Sequence, residues 1–275
     1  MTNLQPNDFK HLAVQVFFEY FSNAQAHAHL EWEKKDDNFE QIVVHLNFIL
    51  LHEKCTKHVR QFLDFIGEHP HDITKCLALA LDSVRLLVLS EVKDQRRVIV
   101  RFYNYNQQMP LSQVKSHLIN KFVAIRGTVL RVSSIKVLVE SIKFTCHLCQ
   151  SEIKLSFIDG KWEQPNRCSS ADCHSKIFNP EKHTAKTAFY QRIRLQEIES
   201  DLKDMNAGKM PKTIDCEIKD DLIDCCISGD VATICGVMKT ELQSEKGRAV
   251  NKNKALHASY IDVHSIKTSN SDLVL

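Results

Sequence analysis

Four cysteines in two close pairs constrain this chain more than any other feature of its sequence. Cys146 and Cys149 are separated by two residues, Cys168 and Cys173 by four, and 18 residues lie between the pairs. This spacing is typical of zinc sites, in which each pair forms a short knuckle that points two sulfurs at one ion. Because four thiolates leave no open position, the pattern predicts a structural Zn²⁺. Ordinary reduced thiols are the alternative.

The residues between the two pairs predict a small zinc ribbon. Ile153 to Trp162 favours a hairpin, with Asp159 and Gly160 at its turn. Such a hairpin is too small to hold itself together, so the metal would supply the missing core. His147 and His174 flank the cysteines and could replace a ligand, but four cysteines suffice.

The chain has ten cysteines in 275 residues. Its polar start, Met1 to Lys10, lacks the order of a secretory signal, and no apolar run approaches the roughly 18 residues of a membrane span. We therefore expect a cytosolic or nuclear protein without a membrane partner, in which thiols stay reduced. The other six cysteines are predicted to be core thiols: Cys55, Cys76, Cys216, Cys225, Cys226 and Cys235.

Apolar residues recur at helical spacing in the first third of the chain. One set runs from Phe9 to Tyr20 and another from Leu77 to Val88, and Val59 to Ile66 favours a further helix. The apolar run Val43 to Leu51 is too short for periodicity to assign. These patterns predict a helical subdomain over residues 1–97, ending in a charged linker, and we find no chemistry in it.

Alternation with a period of two dominates after this linker, so the fold class is α+β. Val123, Ile125 and Val129 share one face of the first clear strand, and Gly127 between them indicates a bulge or sharp coil. Further strands are predicted at 98–105, 135–145, 188–198, 213–218, 231–238 and 258–266. Five or six strands around one long insertion predict an OB-fold over residues 98–275, with the zinc ribbon inserted at about 144–184.

A polar stretch between the last two predicted strands is rich in cations. It contains Lys239, Lys246, Arg248, Lys252 and Lys254, in a chain whose net charge is only +2. An extended hairpin at about 239–257 would present these cations to a polyanion, although a solvated loop has the same composition.

Nucleotide chemistry is not encoded in these residues. The chain contains no G-x-x-x-x-G-K-[ST], G-x-G-x-x-G, G-x-S-x-G or H-E-x-x-H motif, and it has only seven glycines. We therefore expect this chain alone not to be an enzyme.

An ordered set of short motifs resembles the N-terminal half of the minichromosome maintenance (MCM) DNA helicases. Around the four-cysteine insertion these motifs are KFVAIRGTVLRVSSIK at 121–136, RLQEI at 194–198, MPKTI at 210–214, DDLID at 220–224 and SGDV at 228–231. The likeness covers about residues 98–267. Within the family, RFYNY at 101–105 and the four-residue gap between Cys168 and Cys173 are most similar to the eighth, recombination-associated paralogue.

The resemblance implies one tier of a nuclear, hexameric ring of MCM-family subunits around single-stranded or duplex DNA. It also implies roles in DNA replication, homologous-recombination repair or meiosis. ATP and Mg²⁺ would act only through an AAA+ motor in a full-length protein, so this sequence is expected to be a fragment or a natural short form.

By the same resemblance, two groups of cations are candidate DNA contacts. The first group is the projecting hairpin, with Lys246, Arg248, Lys252 and Lys254. The second lies on barrel strands and comprises Arg126, Arg131, Lys136, Arg192 and Arg194. Glu199 to Pro211 resembles the loop that relays to the motor, or is a plain surface loop.

Two other functions compete with this one. A free-standing OB-fold protein that binds single strands would use the same barrel, with aromatic stacking surfaces along a groove. Phe122, Tyr190 and Trp162 are too scattered in the sequence to favour this alternative. A scaffold whose zinc ribbon docks partners would instead show no salt-dependent affinity for DNA.

Overall fold

The computed structural model describes residues 6–22, 30–33, 41–88, 97–105, 108–157, 160, 162–170, 173–198, 210–242 and 257–269. These residues form two compact units. The first comprises Met1–Val132, Ile193–Glu217 and Cys225–Leu275, and the second Ser133–Arg192 and Ile218–Asp224. Among the helices described, none combines the length and the apolar character that a membrane crossing requires.

Four helices open the first unit: α1 (Pro6–Phe21), α2 (Phe48–Lys54), α3 (Lys57–Asp64) and α4 (Pro70–Val88). Ala13, Phe17 and Phe21 are fully buried at four-residue spacing on α1. They pack against α3 and α4, where the Phe17 and Phe62 rings lie 6.0 Å apart. The helices predicted from periodicity are therefore present.

A small sheet accompanies these helices, so the first segment is not purely helical. Strand β1 (Leu30–Glu33) runs antiparallel to β2 (Gln41–Asn47), which runs parallel to β3 (Arg97–Tyr103). The unassigned run from Val43 to Leu51 divides between β2 and α2. Asn47 caps the helix there, because its Oδ1 accepts a hydrogen bond from the Leu50 amide at 3.3 Å.

A closed barrel forms the rest of the first unit. Its strands are β5 (Phe122–Val132), the end of β8 (Phe178–Gln196), β9 (Thr213–Lys219), β10 (Val231–Leu242) and β11 (His257–Thr268). The order β5-β10-β11-β9-β8 closes because β8 also pairs with β5. Strands β9 and β11 are parallel, and the short strand β4 (Gln108–Met109) adds to β5. The α+β class and the predicted barrel are confirmed.

Gly127 marks a close approach between two barrel strands. A Cβ atom there would lie 2.6 Å from the Gln196 carbonyl oxygen and 2.7 Å from the Leu195 side chain. Val123, Ile125 and Val129 share the buried face, as predicted. The expected irregularity occurs two residues after the glycine, where the pairing of β5 with β8 shifts between Val129 and Arg131.

Buried polar residues explain several of the family-like motifs. The Glu197 carboxylate, 4% exposed, accepts hydrogen bonds from the amides of Ser112 (3.0 Å) and Lys212 (3.3 Å). The carboxylate of Asp230 accepts one from the Ile227 amide at 3.0 Å. These carboxylates therefore hold the connections between barrel strands in place, in the motifs RLQEI, MPKTI and SGDV.

The second unit is a three-stranded antiparallel ribbon. Strand β6 (Lys136–Cys146) lies between β7 (Glu152–Ser156) and the first part of β8. Thus β7 pairs with β6, not with the segment near Trp162. The Trp162 indole instead stacks on Phe157, with ring centroids 4.9 Å apart. The core of this unit is small: Ile142, Phe144, Phe178, Cys146, Cys168 and Cys173.

Candidate metal centre and nucleic-acid interface

The two cysteine pairs converge at one end of the ribbon. The sulfur atoms of Cys146 and Cys173 lie 3.8 Å apart, those of Cys149 and Cys168 lie 3.4 Å apart, and all four fall within 4.8 Å of one another. A tetrahedral zinc ion with Zn–S bonds of about 2.3 Å separates its sulfurs by about 3.8 Å. The cluster therefore has the dimensions of a four-thiolate zinc site.

Short turns hold the sulfurs in place. Cys146 ends β6, and its carbonyl accepts a hydrogen bond from the Gln150 amide at 3.1 Å. Gln150 itself adopts a left-handed conformation, with φ of 57°, which closes the first knuckle. In the second pair, the Cys173 amide donates to the Ser170 carbonyl at 3.2 Å.

Two serines that sequence reasoning missed support the cysteines. The Ser151 hydroxyl lies 3.1 Å from the sulfurs of both Cys149 and Cys168, and buried Ser175 contributes to the hydrogen bonding of Cys146. Each serine follows a cysteine by two residues, since the chain reads CQS at 149–151 and CHS at 173–175. This repeated spacing could have identified both serines from the sequence. Hydrogen-bonding partners of this kind orient ligands and tune their basicity.

The thiols of the cluster differ in acidity. The Cys149 amide, with the Leu148 amide and the Ser175 hydroxyl, lowers the pKa of Cys146 to about 6. The Ser151 hydroxyl is the main cause of the lowered pKa of Cys149. At Cys173 the Ser175 amide opposes burial and the neighbouring sulfurs, which together raise the pKa to about 11. Four such thiols ionise together only beside a cation, which a divalent metal would provide.

Neither histidine beside the cysteines belongs to the cluster. Within the described part of the chain, the grouped ligand atoms are the four sulfurs alone, and His147 and His174 are exposed. A fourth protein sulfur occupies the position that a catalytic zinc would keep for water. Of the six cysteines predicted to lie in the core, five are buried. Cys225 is exposed, a correction, because only its neighbour Cys226 points inward in this irregular segment.

The candidate DNA-contact residues of the barrel strands have different surroundings. Arg126 and Arg131 on β5 are exposed, and neither forms an ion pair with a residue that the structure describes. Arg194, opposite Arg131 in the ladder, makes a bidentate ion pair with Asp215 at 2.6 and 2.8 Å. Its guanidinium would have to share or leave that carboxylate to bind a phosphate.

The two remaining cations of this group lie in the second unit. Lys136 is exposed at the start of β6, opposite Tyr190. The Arg192 Nε atom donates to the Tyr190 hydroxyl at 3.0 Å.

The hairpin cations Lys246, Arg248, Lys252 and Lys254 lie outside the described residues, as does most of the 199–211 loop. The flanking strands are described. β10 and β11 form one antiparallel ladder that runs to the pair Leu242 and His257. Lys239, on that ladder, forms an ion pair with Asp262 at 2.8 Å.

Comparisons with known proteins agree with this architecture. Residues 110–242 match the MCM OB domain family. The chain is 35% identical over 182 residues to a probable DNA helicase MCM8 of Oryza sativa subsp. indica, covering 65% of this chain and 23% of the relative. It is 32% identical over 248 residues to the DNA helicase MCM8 of Gallus gallus (83% and 30%) and 28% identical over 277 residues to that of Homo sapiens (93% and 32%).

The barrel, the inserted cysteine ribbon and the matched domain define the N-terminal OB region of an MCM protein. This chain contains the OB region of the MCM family, and the relatives just described are all MCM8 proteins, in agreement with the likeness to the eighth paralogue. It spans about a quarter to a third of their length.

Proposed function

We propose that this chain is the DNA-binding and ring-assembly module of an MCM8-type DNA helicase, acting in the nucleus in DNA replication or homologous-recombination repair. The observation that carries this proposal is the MCM OB domain with a four-cysteine cluster on its inserted ribbon. Because a fold alone does not define an activity, the proposed function depends on two sites, the cysteine cluster of the ribbon and the cations of the barrel and its hairpin.

The proposed metal is a structural Zn²⁺ bound by Cys146, Cys149, Cys168 and Cys173. The geometry of the four sulfurs and the small core around them support this assignment. When bound, the ion would join the two knuckles and neutralise their thiolates. The division of the chain at residue 97 and the ribbon limits of about 144–184 stay predictions.

The proposed DNA contacts are electrostatic. Lys246, Arg248, Lys252 and Lys254 in the hairpin, with the exposed barrel cations Arg126 and Arg131, would meet backbone phosphates. Such contacts fix a protein on DNA without reading its sequence. Other MCM subunits would multiply these contacts in a ring. ATP and Mg²⁺ would be needed only by a motor in the full-length protein.

A salt series on the full chain tests the DNA-binding proposal. The four hairpin cations, each meeting one phosphate of a single strand, should contribute about −2.8 to the slope of log affinity against log salt. Replacing Lys246, Arg248, Lys252 and Lys254 together by Ala should flatten that slope and weaken binding to all sequences about equally. Zinc content and the unfolding temperature should not change. A quadruple variant with an unaltered slope would remove the hairpin from the interface.

Exposed apolar residues on the ribbon favour the zinc-ribbon scaffold as a second candidate function. Leu148 is 72% exposed and Ile177 is 65% exposed, and the amide of His147 donates to the Ile177 carbonyl. A protein partner would cover such side chains. This function predicts that Leu148→Ser with Ile177→Ser abolishes subunit association, while the wild-type chain shows no salt-dependent DNA affinity.

A further inference from the structure

A polar pocket lies on the outer face of the barrel, where β5, β10 and β11 run side by side. Its volume is about 270 Å³. Polar side chains that line it include Arg126, Thr233, Lys267, Ser265, Asn104 and Gln108. None of its lining residues is acidic.

Strand register brings the two cations of this pocket together. Arg126 on β5 is opposite Thr233 on β10, and Thr233 is opposite Lys267 on β11. Directly opposed residues point to the same face of a sheet, so the three side chains form one row across the strands. With strands about 4.8 Å apart, the Cα atoms of Arg126 and Lys267 are separated by about 10 Å.

These two cations have no counter-charge in the part of the chain that the structure describes. Both are exposed, and neither forms an ion pair there. Other cations on nearby strands are neutralised, since Arg194 binds Asp215 and Lys239 binds Asp262. The pocket thus keeps two positive charges, with the Thr233 hydroxyl between them.

This combination fits a phosphate group. A guanidinium binds two phosphate oxygens with parallel hydrogen bonds, and an ammonium adds a point charge from the other side. Thr233, between the cations, offers a hydroxyl donor to a third oxygen. The neighbouring hydroxyl of Ser265 is already committed to the Phe102 carbonyl, so it forms part of the floor.

We propose that this pocket binds a phosphate group of the DNA backbone, with Arg126 and Lys267 as its two cationic ligands. The inference rests on the proposed DNA-binding function and deepens it by adding a second contact site, away from the hairpin in the sequence. Lys267 was not a predicted contact, because nothing in its local sequence separates it from other strand lysines. Only its register with Thr233 connects it to Arg126.

The test compares Arg126→Gln/Lys267→Gln with Lys57→Gln/Lys115→Gln in the full chain, using oligo-dT over a salt series. The control removes the same charge from two exposed lysines outside the pocket. Two lost contacts should reduce the magnitude of the salt slope by about 1.4 and weaken binding at 0.1 M salt by about 25-fold. The control should retain the wild-type slope. Unfolding temperatures of both variants equal to that of the wild type would show that the fold is intact.

Several outcomes separate this inference from the function on which it rests. A pocket variant with the control's slope would overturn the inference, while a flattened slope in the hairpin variant would leave DNA binding standing. No salt-dependent DNA binding by the wild-type chain would overturn both. If free ATP displaced DNA from the wild-type chain, but not from the pocket variant, the phosphate would belong to a nucleotide and the DNA assignment would be wrong.

Discussion

At the scale of single residues, environment and not composition separates the four clustered cysteines from the other six. Burial raises the pKa of Cys216 far above its usual range, and Cys235 is shifted in the same direction for the same reason. These thiols behave as small apolar side chains. Amide and hydroxyl donors instead lower the pKa of Cys146 and Cys149. Thiolates that are stabilised in this way are suited to binding a metal.

Replacing Cys149 or Cys173 by Ala should remove the zinc and destabilise the ribbon. Each substitution takes one of four ligands from a unit whose core is small and includes three of the cysteines themselves. Metal analysis of the purified chain should give one zinc per wild-type molecule and none per variant. Cys225→Ala, an exposed thiol outside the cluster, is the control and should retain the metal. Unchanged zinc in both ligand variants would refute the site.

His264 should make the first unit sensitive to acid. Burial, with Arg101 and His45 nearby, lowers the pKa of His264 to about 3, and its Nε2 atom is buried without a hydrogen-bond partner among the described residues. The unfolded chain therefore takes up this proton first as pH falls below about 6.5. The contribution of His264 to stability is full above that pH and is lost toward pH 3, at about 1.4 kcal/mol per pH unit.

Replacing His264 by Phe tests this linkage, since Phe keeps the stacking on Phe102 (centroids 5.7 Å apart) and cannot titrate. Denaturant unfolding of the variant should lose less free energy between pH 7 and pH 5 than that of the wild type. The exposed His117→Gln provides the control and should follow the wild-type profile. Parallel pH profiles for wild type and His264→Phe would contradict the assignment.

At the scale of elements, the approach of β5 to β8 leaves no room for a side chain at Gly127. Gly127→Ala places a methyl group against backbone and a packed leucine, so the strands must separate. A cost of about 1–3 kcal/mol is expected, visible as a lower unfolding temperature. Gly67→Ala is the control, because its added Cβ would meet only the Tyr105 hydroxyl at an ordinary 3.5 Å. Equal destabilisation by the two substitutions would contradict this account.

Elements with a strong hydrophobic periodicity were predictable from the sequence, and elements that depend on pairing with a distant strand were not. α1, β9 and the part of α4 from Leu77 onward show clear apolar stripes, so the positions of these segments follow from residue spacing alone, whereas α4 begins seven residues earlier, at Pro70. β8 extends ten residues before the predicted start because its polar first part, NPEKHTAKT, has no alternation. Pairing with β6 holds that part, through two register shifts. Likewise, β2 is short and apolar, and its parallel pairing with β3 depends on residues 56 positions away in the sequence.

The same distinction applies to the candidate sites. The cysteine cluster was predictable because its ligands lie in two local pairs, and the serines that support it repeat two residues after a cysteine. The phosphate pocket was not, because it joins one residue from each of three strands whose register no local pattern specifies. For Arg194, in contrast, the sequence predicted a DNA contact that the structure makes less available. Arg194 lies in a family motif, but its guanidinium forms an ion pair with Asp215.

At the scale of the whole molecule, the chain has sites suited to a metal and to phosphates, but no motif that would hold a nucleotide for hydrolysis. We therefore expect ATP with Mg²⁺ not to raise its DNA affinity, and purified chain to hydrolyse no ATP. The proteins that it resembles are DNA helicases, of which it spans about a quarter to a third. Hydrolysis would require a phosphate loop, whose glycines and lysine cradle the triphosphate. Hydrolysis that co-elutes with the chain through successive columns would show a nucleotide site in these residues. DNA binding that requires ATP in the wild-type chain and is abolished in Arg126→Gln/Lys267→Gln would also show a nucleotide site.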